Sequence, residues 1–375
     1  MKELSVYVHV PFCKSKCKYC DFNSYVGCEN LISRYFSCLY KEIKNFGPKF
    51  KDYTVTTIYI GGGTPSYVDE KLIANTLKLI KKEFNVAKNS EISMEANPNS
   101  ITLEKAQIWK GAGINRISVG MQSANNKLLK LIGRIHTLRD YKKAMEFLKL
   151  AGFNNINTDI MIGLPKQSLG DMLKAIKVAT KHSTHVSAYS LIVEEGTPLK
   201  SLIEKKELSL PKEELAIEMY DMAVDKLKKA GFDRYEVSNF AKKGYECKHN
   251  LNCWDYLPYI GFGAGAHSFI DNRRCENVHD INVYICKIKE SGDPTNNSQM
   301  LTKNEQIEEY IMVGMRKTDG IYPKKIKEKF GYNILKAKDK EIEQLQKAGF
   351  IEVKNSIYAT EMGFFVLNRI ILELI

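Results

Sequence analysis

A chain of 375 residues with 44% apolar side chains is long enough to bury a sizeable core and to form two or three domains. It contains no apolar run of roughly 18 residues, which argues against a membrane-spanning helix. Its start, Met-Lys-Glu-Leu-Ser, lacks the apolar stretch of a signal peptide. The nine cysteines are odd in number and crowd toward the amino-terminal end, a pattern of free thiols and a metal site in a reducing cytoplasm, not of a secreted disulfide framework. The net charge of +12 falls mostly in the first 150 residues, where it favours anionic ligands such as phosphates or polycarboxylates.

From residue 4 to residue 190 the pattern is strand, then helix, repeated. Leu4–Val10 alternates as a strand, and Ile32–Phe46 has helical spacing. Thr57–Ile60 is a strand running into Gly61-Gly62-Gly63, followed by a helix over Leu72–Phe84. Glu91–Glu95 is a third strand, broken by Asn97-Pro98-Asn99. Leu103–Gly111 and Leu138–Leu150 read as helices on either side of a strand at Arg116–Val119. Asn157–Ile162, a helix at Met172–Lys181 and His185–Leu191 complete the series. Six strands alternating with helices predict a parallel α/β sheet, either doubly wound or a partial (β/α)6 barrel of the TIM type. A long amphipathic helix covers 211–230, and 245–268 reads as loop-rich. Asp293–Ser298 has the composition of a linker, and the residues after it resemble a small α-rich winged helix. The predicted divisions are 1–235, 236–298 and 299–375. The tail's near-neutral charge argues against nucleic acid as a partner, because phosphate binding needs a concentrated basic face.

The chemistry-bearing residues gather at the predicted strand ends. Cys13, Cys17 and Cys20, spaced C-x3-C-x2-C after the first strand, can hold three irons of a 4Fe–4S cubane, and Phe22 stands where a fourth cysteine would fall. A cluster with three protein ligands leaves one iron open to a small molecule. A zinc knuckle would want a second pair at matching spacing, which the distant Cys247, Cys253, Cys275 and Cys286 do not supply. Lys14, Lys16 and Lys18 alternate with the cysteines and would favour their thiolates. The glycine run lets backbone approach a ligand closely. Glu95 and Asp159 can accept from an ammonium group or ribose hydroxyls, while Gln122 and Arg134 can hold a carboxylate. Together they suit a zwitterionic amino acid moiety on the open iron. Downstream, His249-Asn250-Leu251-Asn252-Cys253-Trp254 offers His249 or Cys253 as a haem-iron ligand and Trp254 as a cover for a flat macrocycle.

With Gly-Gly-Gly-Thr-Pro at 61–65, Gly-Met-Gln-Ser at 120–123 and Asp-Ile-Met-Ile-Gly-Leu-Pro at 159–165, the cysteine loop resembles the radical S-adenosylmethionine family, in its coproporphyrinogen III oxidase-like branch. The resemblance implies that S-adenosylmethionine binds the open iron, with Tyr7, Tyr19, Gly62, Gly63, Thr64, Glu95, Gln122, Arg134 and Asp159 lining its site. Within the branch, the oxygen-independent oxidases carry a longer amino-terminal extension and a fourth nearby cysteine, whereas the heme chaperones have phenylalanine there and a His-Asn-x-x-Tyr-Trp motif. Phe22, the short start, His249, Asn250 and Trp254 match the chaperones, but Cys253 replaces the tyrosine. The expectation is therefore a cytoplasmic heme chaperone without oxidase activity. It would pass heme to an acceptor protein such as a membrane-bound respiratory component, without being an integral membrane protein itself. The alternative is the oxidase, which decarboxylates coproporphyrinogen III in porphyrin biosynthesis.

Overall fold

The computed structural model describes residues 1–375. Six strands, β1 (Lys2–Val10), β2 (Tyr53–Gly62), β3 (Val86–Ala96), β4 (Arg116–Gln122), β5 (Asn155–Ile162) and β6 (His185–Ser190), lie side by side in sequence order, each parallel to the next. A doubly wound sheet would reverse direction at a switch point. Unbroken order with right-handed crossovers keeps every helix on one face and curls the sheet into part of a barrel. Those helices are α1 (Ile32–Phe46), α2 (Glu70–Glu83), α3 (Leu103–Ala112), α4 (Asn126–Leu131), α5 (Leu138–Leu150) and α6 (Leu169–His182). Thr137 and Ser168 close capping boxes with Asp140 and Asp171, which fixes where α5 and α6 begin.

The strands alternate with period two, and the two parities have opposite chemistry. Val6, Val8, Ile58, Ile60, Ile92, Met94, Ile117, Val119, Ile156, Ile160, Val186 and Ala188 are buried in the main core, beneath the helices. The other parity is polar: Tyr59, Glu95, Arg116, Ser118, Gln122, Asn157, Asp159, Ser187 and Tyr189 line the barrel's interior. The barrel is thus apolar outside and polar inside.

The remaining elements extend and brace this frame. After α7 (Pro198–Glu204) and α8 (Glu213–Lys229), β7 (Asp233–Arg234) and β8 (Asn239–Ala241) add antiparallel strands beyond β6. The stretch expected to be loop-rich holds a helix, α9 (Lys248–Trp254), and a strand, β9 (Tyr259–Phe262), which pairs in parallel with β1. The strands β10 (His267–Ile270) and β11 (Arg273–Asn277) follow, then α10 (Ile281–Glu290). The segment read as a linker continues instead as an edge strand, β12 (Thr295–Met300), antiparallel to β11. Its side chains are mostly exposed, so it lacks the apolar alternation that reveals a strand. One sheet of 12 strands results.

Beyond it, α11 (Lys303–Gly314), α12 (Pro323–Phe330), α13 (Ile334–Ala337) and α14 (Asp339–Lys347) precede a hairpin of β13 (Ile351–Val353) and β14 (Ile357–Ala359). Two helices follow the hairpin, α15 (Glu361–Phe365) and α16 (Leu367–Leu374). This part has its own core, including Ile311, Ile326, Ile342 and Ile370, which also takes in Tyr256 and Phe269. Arg274 donates to Glu309 at 2.7 Å, and the Val237 amide donates to the Arg316 carbonyl at 2.9 Å. No helix is long and apolar enough to cross a membrane.

Gly263, at φ +99°, joins the frame at a close approach: a Cβ there would fall 2.4 Å from the Tyr35 hydroxyl and 2.7 Å from the His9 carbonyl. Gly263→Ala is expected to lower unfolding free energy in urea by about 2–3 kcal/mol, combining left-handed strain with overpacking.

Candidate functional site

The polar barrel interior opens into a cavity of about 630 Å³ at the carboxyl ends of the strands. Its walls include Cys13, Cys17, Cys20, Tyr19, Gly62, Gly63, Thr64, Glu95, Gln122, Arg134, Asp159 and Trp254. Residues scattered over more than 240 positions of sequence therefore meet in one place, as barrel chemistry does.

The cysteine loop is held from several sides. The Cys13 amide donates to the Tyr25 carbonyl at 2.9 Å, and the Tyr25 amide returns to Pro11 at 2.7 Å. The Lys18 amide donates to Ile132 at 3.0 Å, and the Leu199 amide to Lys18 at 2.8 Å. Gly63 is required beneath it, since a Cβ would lie 2.9 Å from the Phe12 carbonyl and 3.0 Å from the Cys13 sulfur. The three thiols are not gathered within the 4.8 Å that would let them share a single ion. All three cysteines line the cavity, and a cubane, in which each thiolate would take its own iron, does not require them to share one ion. Burial pushes the Cys13 and Cys20 thiols up, and Lys16 opposes it only weakly. Lys16 therefore acts in the expected direction, favouring the thiolates, while desolvation is the larger effect; a bound cluster would supply the positive charge that holds them deprotonated.

Arg134 lies against this loop, donating to the Gly120 carbonyl at 2.7 Å and reaching the Cys17 sulfur at 3.5 Å. Gln122 sits in the left-handed region at φ 62° and accepts from the Tyr189 hydroxyl at 2.8 Å. The Glu95 carboxylate accepts from the Tyr59 hydroxyl at 2.9 Å and the Gly62 amide at 3.1 Å. Burial, with a contribution from the charge of Asp159, pushes Glu95 up to about 7. Burial raises Asp159 too, against donation from Asn157 at 2.7 Å and from Ser118 at 3.3 Å. Carboxylates raised by burial in a cavity are poised for a ligand that brings donors or positive charge.

Three expected site residues stay off the cavity wall. Tyr7 is half-buried, its hydroxyl 2.9 Å from His9 Nδ1. His249 packs inside the barrel, with Nδ1 2.9 Å from the Thr57 hydroxyl and its ring 5.1 Å from that of Tyr59. Burial lowers His249 to about 3, and pushes the half-buried Cys253 thiol up to about 11. Helical geometry gives the reason: His249 and Cys253 share one stripe of α9, four residues apart, and Asn250 and Trp254 share the next. The Lys248 and His249 amides donate to Glu91 at 3.1 and 3.3 Å, fixing the helix so that Asn250 and Trp254 face the cavity. Trp254 Nε1 donates to Glu236 at 3.0 Å. The sequence reading missed Tyr59, Arg116, Ser118, Asn157, Ser187 and Glu236. The signal for the strand residues was parity, for they lie an even number of positions from Glu95, Asp159 or Tyr189 on their own strands or on register partners.

Two family models match the chain, the Radical SAM superfamily over residues 7–179 and the HemN C-terminal domain over residues 301–366. The structure of coproporphyrinogen III oxidase (HemN) from Escherichia coli, described as a radical SAM enzyme, aligns with 100% of this chain and 90% of its own. Its TM-score is 0.87 at 21% identity, a likeness of fold alone. Fold and cysteine loop define a radical SAM protein, a class that implies a 4Fe–4S cluster and S-adenosylmethionine. Heme chaperone HemW from Bacillus subtilis (strain 168) is 38% identical over 98% of this chain and 97% of its own. Heme chaperone HemW from Lactococcus lactis subsp. lactis is 35% identical over 98% and 96%. The chain belongs to the HemW family.

Gly63→Ala is expected to reduce iron bound after anaerobic reconstitution at least severalfold, read by iron assay and visible absorbance, with the circular dichroism spectrum unchanged. Full iron loading of the variant would show that the close approach to Cys13 is not required.

Proposed function

We propose that this protein is a heme chaperone that binds heme at the cavity mouth and delivers it to an acceptor protein. The carrying observation is the likeness, 38% over nearly the whole length, to a protein named as a heme chaperone. The cavity's chemistry supports the reading. Its rim carries Phe22 and Ile192, 61% and 68% exposed, with Leu191, and Trp254 lies deeper on its wall. Exposed aromatic and aliphatic side chains beside a cavity suit a flat apolar macrocycle. Lys16, also on the wall, would suit its propionates.

Cys13, Cys17 and Cys20 would hold the cluster. Glu95, Gln122, Arg134 and Asp159 would hold and orient S-adenosylmethionine, with Tyr19, Gly62, Gly63 and Thr64 around it and Tyr7 supporting through His9. The cluster and its ligand supply one-electron radical chemistry when bound; the protein supplies orientation and exclusion of water. Heme-iron ligation by His249 or Cys253 would require α9 to turn about its axis, away from its Glu91 anchor. The carboxyl-terminal domain braces residues 235–238 and would offer the surface for an acceptor. The same cavity in a coproporphyrinogen oxidase would produce protoporphyrinogen, and this is the outcome that would displace the chaperone reading.

Heme titrated into the reconstituted protein should shift the Soret band at micromolar concentration. Trp254→Ala should weaken binding, whereas His249→Ala should leave the band position unchanged. No Soret change in the parent, or turnover of coproporphyrinogen III with S-adenosylmethionine and a reductant, would sink the proposal. For S-adenosylmethionine the sign follows from Glu95. Below about 7 the free carboxyl is protonated and must lose its proton to accept from the ligand. Affinity should therefore rise between pH 6 and pH 8, by up to roughly tenfold, and Glu95→Gln should flatten the profile in equilibrium dialysis.

A further inference from the structure

Outside the cavity, one other cluster of ligating groups is assembled. His267, Glu276 and His279 bring one ring nitrogen each and a carboxylate oxygen within 4.8 Å of one another. His267 Nε2 lies 3.9 Å from Glu276 Oε1, and His279 Nε2 is in direct contact with the same oxygen. His267 and Glu276 are cross-strand partners on β10 and β11, a position that sets two side chains side by side on a rigid ribbon. His279 follows just past the end of β11, before Asp280, whose side chain caps α10. The ribbon's end is pinned, because buried Asn277 donates to Glu42 at 2.8 Å and to the Gly263 carbonyl at 2.9 Å.

We propose that His267, Glu276 and His279 form a binding site for a first-row divalent cation of the zinc type, separate from the cysteine loop and from the cavity. Two imidazoles and one carboxylate are a donor set such ions take, with water completing the shell. Ligand atoms on a tetrahedral zinc at about 2.0–2.1 Å stand roughly 3.4 Å apart. Small rotamer changes bring the three groups to that spacing. The two histidines are more than half exposed, so an ion can enter and a water can remain bound. His267 makes no hydrogen bond that would compete with a metal, and the sole side-chain partner of His279 is Glu276 itself.

The site has a mechanical connection to the cluster loop. The His279 carbonyl accepts from Asn23 Nδ2 and from the Tyr25 hydroxyl, both at 3.1 Å. Tyr25 in turn holds the Cys13 amide. An ion gripping His279 therefore fastens the segment that carries the cysteines to the outer sheet.

The test is titration of the full chain with Co2+, after iron reconstitution has filled the cysteines so that thiolates do not compete. One equivalent should bind and give ligand-field absorption without thiolate charge-transfer bands. Zn2+ should displace the Co2+ and slow amide hydrogen exchange at residues 23–25. His267→Ala and His279→Ala should each weaken binding by about tenfold or more. Glu276→Gln, which keeps size and folding, should do the same and lose the exchange protection. All three variants should bind heme as the parent does. Absence of Co2+ binding at micromolar concentration, binding unchanged in the His267→Ala/His279→Ala double variant, or a heme spectrum altered by that variant would overturn the proposal.

Discussion

The carboxylate of Glu91 sets how the open barrel is closed from within. Six parallel strands cannot meet edge to edge, and the gap between β6 and β1 is bridged by the chain from β8 to β9. The helix of that bridge, α9, has its amino-terminal N–H groups turned to Glu91, which also accepts from the Cys247 thiol at 3.5 Å. An acidic group at a helix amino terminus satisfies orphan donors and the helix dipole together. Asn252 completes the docking, donating to the Ser5 hydroxyl at 3.0 Å and the Thr56 hydroxyl at 3.3 Å. The roll of α9 decides which of its residues reach ligand, and the cavity's floor depends on it.

A barrel filled with polar side chains needs each of them partnered, because an unpaired buried group costs about 1–3 kcal/mol. Most are. Asn157 donates to Ser118, Asp159 and Ser187, while its carbonyl oxygen lies 2.6 Å from His185 Nδ1. His185 Nε2 meets the Tyr235 hydroxyl at 2.7 Å. This network passes from the Asp159 carboxylate toward the amino-terminal ends of β5 and β6 and on to Tyr235, whose carbonyl accepts from the Thr318 amide of the carboxyl-terminal domain at 3.1 Å. Among the exceptions are Oδ1 of Asn97 and of Asn239 and Nε of Arg116, which is 2% exposed and adds positive potential to the floor of a cavity that also holds Glu95 and Asp159. Together they leave a cavity of mixed sign, matched to ligands that carry both charges.

The same alternation explains what could be read in advance. Apolar residues at every second position marked the strands, so the (β/α)6 order and the tendency of reactive residues to fall at strand ends were legible. The helix capped by Thr137 was located to the residue, whereas the one capped by Ser168 begins at Leu169, ahead of the expected Met172. What failed were elements whose burial comes from distant partners. The strand at Thr295–Met300 is exposed and polar, and only pairing with β11 makes it a strand. The lysines around the cysteines suggested activation, but their effect is small beside the desolvation of Cys13 and Cys20.

Local sequence by itself determined the cysteine spacing, the glycine run and the periodicities, because these depend on residues a few positions apart. It therefore determined the fold class and the set of side chains available for an open-iron cluster. Tertiary structure alone decided which of them share a cavity. It took Trp254 to the cavity wall and His249 into the packing, since a helix stripe has no inside until something is docked against it. It also brought His267, Glu276 and His279 together, because cross-strand register, which no single strand contains, sets that meeting.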